Sequence, residues 1–144
     1  MNTQRENHVI DCDAKPFCPK YWKVFAHKKS GEIIWNSKSI VLSRLIEVGK
    51  LSSAQEIPQE TTGVSILNAA VLDYLLSHPY LMPEEWKNGH ICFWGTIYSY
   101  KIGNRDTFWI RRLVWMGNDW QWEFRPIYVI ADENNYMVAC KKGD

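Results

Sequence analysis

The stretch from Gly63 to Tyr98, GVSILNAAVLDYLLSHPYLMPEEWKNGHICFWGTIY, does most to limit what this chain can become. Leu67, Val71, Leu72, Leu75 and Leu76 recur at three- and four-residue spacing, which lines one face of an α-helix. Ser65 is placed to cap that helix by accepting a hydrogen bond from a free N–H of the first turn. Asn68 and Asp73 fall off the stripe. Pro79 disfavours helical geometry at His78, so the helix is expected to end near Ser77. Pro83 suits the first position of a second short helical turn, with Glu84 and Glu85 near its positive end. Asn88-Gly89 signals a turn. Ile91 to Tyr100 is rich in β-branched and aromatic residues and reads as a strand.

Gly103-Asn104 is a two-residue hairpin signal between Ile91–Ile102 and Arg105–Met116. It makes Ile102 face Arg105 and predicts the pairs Tyr98–Trp109 and Trp94–Leu113. One face then carries Cys92, Trp94, Thr96, Tyr98 and Tyr100 with Thr107, Trp109, Arg111, Leu113 and Trp115. The other carries Ile91, Phe93, Gly95, Ile97 and Ser99 opposite Met116, Val114, Arg112, Ile110 and Phe108, and it is the mostly aliphatic face expected to receive the helix. A turn at Gly117-Asn118-Asp119 follows. An even loop puts Trp120, Trp122 and Phe124 on the aromatic face and Gln121, Glu123 and Arg125 on the other; an odd loop reverses this. Ile127–Ala131 and Tyr136–Cys140 read as a last hairpin.

Upstream, Val9–Cys12 reads as a short strand and Lys15–Lys20, with Pro16 and Pro19, as a loop. Tyr21–Ala26 and Glu32–Trp35 around Ser30-Gly31 suggest an N-terminal hairpin. Ser39–Val48 fits both alternation and a helix ending at Gly49, and the helix is preferred. Leu51–Thr62 reads as a surface loop. The fold expected is therefore α+β: an antiparallel meander of four to five strands, an N-terminal hairpin and one main helix packed on one face. A single domain spans residues 1–144, with 1–7 frayed.

Hydrophobic content of 46% and charged content of 23% suit a globular chain, while eight Trp and 14% aromatic residues are high. A net charge of +1 offers no general attraction for nucleic acid or an anionic membrane. The N-terminus, MNTQRENHVID, has no apolar signal core, and no apolar run approaches the ~20 residues of a membrane helix. The four cysteines, Cys12, Cys18, Cys92 and Cys140, are irregularly spaced and read as reduced thiols of a cytoplasmic protein.

IDCDAKPFCPKYWKV, LNAAVLDYLLSHPYLMPEEWK, FWGTIY and the spaced Trp115, Trp120 and Trp122 resemble a group of short, uncharacterised bacterial proteins. Those carry IDCDA-x-P, LNA-x-VLDYLL, PEEWK and FWGTIY in the same order. The resemblance covers residues 10–35 and 66–124 and fades across 37–63. It implies no activity.

Asp11-Cys12-Asp13 after an apolar pair is similar to the start of phosphotransferases with an aspartyl nucleophile. Such a site needs a Mg²⁺-binding strand end on an α/β scaffold, and the parallel βαβ pattern is absent. Carboxylates bonding local N–H groups are the simpler reading. Cys12 and Cys18, with His8 and His27 nearby, lack the tighter cysteine pairs of zinc sites. His90 and Cys92 sit at i, i+2 with no third group to orient them, so Cys92 reads as a core residue. Walker, GxGxxG and GxSxG patterns are missing.

The best functional lead is the aromatic face. Its rings can stack a small ligand or meet a protein partner, with Arg111 among them; the competing reading is that a second layer simply buries them. Trp109, Arg111, Trp115, Trp120 and Trp122 are the expected ligand-binding residues. No catalytic residue, metal ligand or cofactor is assigned. The function expected is a non-enzymatic binding or interaction domain; the alternative is a small hydrolase or phosphotransferase using Asp11 and Asp13.

Overall fold

The computed structural model describes residues 8–43, 64–127 and 136–142. The strands in chain order are β1 (Val9–Asp11), β2 (Trp22–His27), β3 (Glu32–Ile34), β4 (Ile40–Ser43), β5 (Val64–Ile66), β6 (His90–Cys92), β7 (Thr96–Ile102), β8 (Arg105–Trp115), β9 (Trp120–Pro126) and β10 (Tyr136–Lys142). Helix α1 spans Ala69–Ser77, and 3₁₀ turns cover Ser37–Ser39, Pro79–Leu81 and Glu84–Asn88.

This is not a meander of four to five strands. Eight strands join one curled, mixed sheet, and β1 and β3 form a separate two-stranded ribbon. The sheet runs β2-β7-β8-β6-β10-β4, with β9 on the far edge of β8 and β5 beside β10. The mixing comes from β10, which lies parallel to β6 and antiparallel to β4 and β5. Val138 pairs with Cys92 and Ser43, so both edges of β10 are occupied and the last hairpin expected for Tyr136–Cys140 does not form. Residues 128–131 of that expectation lie outside the described residues, as do 1–7 and the loop at 51–62. Alternation names the strands and their faces, but it does not name the distant strand beside each one.

The N-terminal hairpin is corrected for the same reason. β2 pairs with β7 and β3 with β1. Gly31, at φ 71, does turn the chain, but Lys28 donates its N–H to the Gly95 carbonyl at 2.7 Å while Cys12 donates to Gly31 at 2.8 Å. The two arms are thereby drawn to different neighbours. A register shift between Val24 and Ala26 also turns Ala26 onto the face of Ile97, away from Trp22. Ile40–Ser43, preferred as helix, is strand β4; the rest of that segment lies outside the described residues.

Helix α1 is capped by Asn68, not Ser65. The Asn68 Oδ1 accepts from Ala70 N at 3.0 Å and Val71 N at 3.3 Å. Ser65 is held extended in β5, and Leu67 continues that path, donating to the Ala139 carbonyl and accepting from Gly95 N. The C-terminus falls at Ser77 as expected, ahead of Pro79.

The β7–β8 hairpin pairs Ile102 with Arg105 and Tyr98 with Trp109, as the Gly103-Asn104 signal requires. The ladder does not continue straight to Ile91. The six steps from Cys92 to Tyr98 are matched by only three from Trp109 to Arg112, so Phe93–Gly95 are extra. An odd excess swaps faces. Ile91, not Trp94, therefore stands opposite Leu113. Trp94 packs with Ile97 and Ile110, on the side of the sheet away from Trp109.

The swap decides where the helix goes. Val71, Leu72 and Leu75, all at 0% exposure, cluster with Ile91, Phe93, Leu113, Ala139 and the ribbon's Ile10 and Cys12. The second cluster holds Cys92, Trp94, Ile97, Ile110, Val138 and Cys140 on the opposite face. Helix α1 thus lies on the face that carries the aromatics; of the expected seat at Phe93, Ile97, Ile110 and Val114, Phe93 alone belongs to its cluster.

Candidate aromatic binding surface

The loop Met116–Asp119 joins β8 to β9 with Trp115 opposite Trp120, an even connection. Gly117 supplies the positive φ of 76 that the turn needs, and Met116 N donates to the Asp119 carbonyl at 2.9 Å. Parity then puts Trp109, Arg111, Leu113 and Trp115 of β8 on one face with Trp120, Trp122 and Phe124 of β9.

This face has a closed end and an open end. At the closed end Trp22 lies flat on Phe124, centroids 3.9 Å apart and planes 8° apart, and stacks on Tyr100 at 4.5 Å. Trp109 meets Trp22 edge-on at 5.6 Å and donates its indole N–H to Thr107 Oγ1 at 2.8 Å. At the open end Trp115 and Trp120 form a T at 5.1 Å, and Lys87 Nζ sits 4.1 Å from the Trp115 ring centre. Trp109, Trp115, Trp120 and Trp122 are all partly buried, while Met116 beyond them is 59% exposed.

Arg111 stands between the two ends. Its side chain is 1% exposed, and its Nη1 donates to Asp73 Oδ1 of α1 at 2.7 Å. Its guanidinium carbon lies 4.0 Å from the Trp122 ring centre and 5.6 Å from that of Phe17. The proline loop comes down here. Phe17 N donates to Asp73 Oδ2, and the Phe17 carbonyl accepts from Tyr98 OH, each at 2.7 Å. Phe17 is pinned by its backbone, yet its ring is 50% exposed and touches Trp122 edge-on at 5.7 Å. Burial raises the Tyr98 hydroxyl to about 12, against the pull of Arg111, so it is a neutral donor at ordinary pH.

All five residues expected from sequence lie on this face, but not in one role. Arg111 is enclosed and paired, Trp109 belongs to the self-stacked end, and Trp115, Trp120 and Trp122 line the open end. Sequence reasoning missed Asp73, Phe17 and Trp22 as parts of the site. Asp73 carried a signal, being the one charged residue within AAVLDYLLS. Phe17, an aromatic inside a loop held by Pro16 and Pro19, carried a weaker one.

The other candidate chemistry resolves into structure. Asp11 Oδ1 accepts from Asp13 N, and Asp13 Oδ1 from Gly31 N, each at 3.0 Å. The first is the local bond of a turn, and the second ties that turn to the backbone of Gly31 just before β3, so both carboxylates hold backbone N–H groups. No group of three or more His, Cys, Asp or Glu among the described residues is arranged to hold a metal ion. Arg112 Nη1 donates to His90 Nδ1 at 2.6 Å and Nη2 to Glu123. Cys92, opposite Arg112, is pushed up to about 12 by burial, and Cys12 to about 11 by burial and the Asp13 and Asp11 carboxylates. Neither is a thiolate nucleophile at neutral pH. His78 ends α1, its Nδ1 3.0 Å from the Tyr74 carbonyl.

A polar knot holds the site's scaffold together. Asn68 Nδ2 donates to the Cys12 and Lys28 carbonyls at 2.8 and 2.7 Å, and Ala69 N donates to Thr96 Oγ1 at 2.8 Å. Thr96 in turn bonds His27 Nδ1, whose Nε2 donates to the Cys12 carbonyl at 3.0 Å. The IDCDA, LNA and FWGT segments meet at this point. No protein-family model matches the chain, and no curated protein or solved structure matches it.

Proposed function

We propose that this chain is a non-enzymatic binding domain that engages a protein partner through the open end of its aromatic face. The observation that carries the reading is the row Phe17, Trp122, Trp120 and Trp115, in which partly buried rings lead to the half-exposed Phe17 at one end. Trp and other aromatics on a rigid support are the residues that dominate protein interfaces. A stacked base or sugar fits less well. The flat stacking place on this face is filled by Trp22 on Phe124, and the open rings meet one another edge-on. The site of action in this reading is the cytoplasm, consistent with four unbridged cysteines.

The test is selection of peptides from a displayed random library on the folded protein, followed by affinity measurement on variants. Phe17→Ser and Trp120→Ser should each weaken the selected peptides at least about tenfold, a loss of about 1.4 kcal/mol. Tyr80→Ser, at an exposed ring beside His8 and away from the row, should leave them unchanged. Peptides indifferent to Phe17 and Trp120, or no enrichment, would count against the reading; equal capture of free sugars or nucleosides would shift it to a small ligand.

A further inference from the structure

The edge strands of the curled sheet are not alike. β2 is broken by the register shift between Val24 and Ala26, and β4 is only four residues long. Bulges and short strands blunt an edge against further pairing. β9 has neither device: its seven residues pair with β8 without a break from Trp120 to Pro126.

In an antiparallel ladder, residues alternate between bonding the partner strand and turning their N–H and C=O away from it. Met116 N donates to the Asp119 carbonyl, which marks that pair as bonded, so Gln121, Glu123 and Arg125 bond β8 in turn. The other flank of β8 agrees, because the Arg111 carbonyl, opposite Phe124, accepts from Phe93 N. Trp120, Trp122 and Phe124 therefore present their backbone groups to the outside of the sheet. Pro126, next in that series, has no N–H to present there, which is the place in a strand that tolerates proline. Among the described residues, no backbone bond reaches the outer groups of these three.

This edge is complementary to itself. Laid antiparallel on a second copy about a two-fold axis at Trp122, it sets Trp120 opposite Phe124 of the second copy and Trp122 opposite its own counterpart. All three outward residues are then bonded, two bonds in each of three pairs. On the face away from the rings, exposed Asp119 comes opposite Arg125 of the second copy at both ends, and Gln121 comes opposite Glu123. Sliding one pairing step either way sets acid against acid, Asp119 opposite Glu123 in one direction and Glu123 opposite itself in the other. Like charges directly opposite are destabilising, so the charges select the two-fold at Trp122.

We infer that β9 pairs with β9 of a second copy, making a two-fold dimer in which the two sheets run together. The contact uses the backbone edge of β9 and leaves the rings on their own face, so it does not depend on the partner proposed above. The same patch meets itself, as closed two-fold assembly requires.

The experiment is sedimentation of the full chain over a range of concentrations, with amide hydrogen exchange measured at both ends of the range. The wild type should pass from monomer to dimer. The Trp120, Trp122 and Phe124 amides should become protected as it does, while those of Gln121, Glu123 and Arg125 are protected throughout. Asp119→Arg should weaken the dimer at least about tenfold, because it sets two cations opposite each other. Arg125→Asp should do the same with two carboxylates. Mixing the two folded variants should restore dimerisation to within about threefold of wild type, since the mixed pair opposes unlike charges at both ends. A monomer at every concentration, Trp122 protection that does not change with concentration, a dimer indifferent to Asp119→Arg, or a mixture no better than either folded variant alone would each overturn the inference. If Arg125→Asp does not fold, the exchange pattern and Asp119→Arg still decide.

Discussion

Arg111 and Arg112 are consecutive residues of β8 whose guanidinium groups meet opposite faces of one sheet, and they are neutralised in different ways. Arg111 is 1% exposed, and its carboxylate comes from Asp73 on α1, 38 residues away. Arg112 is 11% exposed, and its carboxylate comes from Glu123, its direct neighbour across the β8–β9 ladder, which remains 49% exposed. A buried cation requires a compensating charge, whatever its source. On one face the hairpin itself provides the partner. On the other it arrives only when a helix docks, so the same contact that neutralises Arg111 also fixes α1 and, through Phe17, the proline loop to the aromatic face.

The sharpest way to break this comparison is to remove each carboxylate. Asp73→Ala should cost about 3–5 kcal/mol in urea unfolding, because it strands an enclosed guanidinium. Glu123→Ala should cost less, about 1–2 kcal/mol, since the Glu123 carboxylate is half exposed and Arg112 keeps its contact with His90. Equal losses would mean that the two arginines do not differ in their dependence on a partner.

Gly95→Ala probes the point where the faces swap. A Cβ there would come within 2.8 Å of Asn68 Cβ and 2.9 Å of the Leu67 carbonyl oxygen. Backbone cannot give way as a flexible side chain can, so a loss of about 1–3 kcal/mol is expected. Gly89→Ala, which meets nothing within 4 Å, is the matched control and should fall within about 0.5 kcal/mol. A neutral Gly95→Ala would show that the extra residues Phe93–Gly95 are not held by this close approach.

The effects of pH, absent at neutral pH, separate the two faces again. Cys92 on the Arg112 face rises from 9.0 to about 12 on folding, and Tyr98 on the Arg111 face from 10.0 to about 12, both chiefly by burial. The folded state thus favours the protonated forms. That contribution is complete below pH 9 and is lost as pH rises toward 12, because the unfolded chain ionises first. Denaturation midpoints should therefore fall through this window. Cys92→Ala should reduce the part of the slope that begins near pH 9, which Cys12 shares, and Tyr98→Phe the part that begins near pH 10. A flat profile in the wild type would contradict both burial assignments.

Much of the hairpin half was legible in the residues. Gly103-Asn104 set the Tyr98–Trp109 pairing, because turn chemistry and period-two alternation act within a few residues; that Trp120 and Trp122 join Trp115 followed only from the even Gly117 loop, a parity the residues left open. The end of α1 at Ser77 followed from Pro79. The Arg112–Glu123 pair lay within the same hairpin. What alternation could not register was the three-residue excess at Phe93–Gly95, since FWGTIY continues the apolar pattern through the break while Gly95 bonds to Leu67 and Lys28 from elsewhere in the chain.

By itself, then, the sequence determined most of the strands, though not β4 or β5, where α1 stops, and which side chains share a face within the Gly103-Asn104 hairpin. Those are outcomes of local sterics and hydrogen bonding. Only the tertiary structure decided that β10 enters parallel to β6, that the ribbon separates β3 from β2, that Asn68 caps the helix, and that α1 covers the aromatic face. Each of these depends on which distant backbone groups and buried charges satisfy one another, as Leu67 with Gly95 and Asp73 with Arg111 do, and a pattern of apolar residues carries no information about partners that far away.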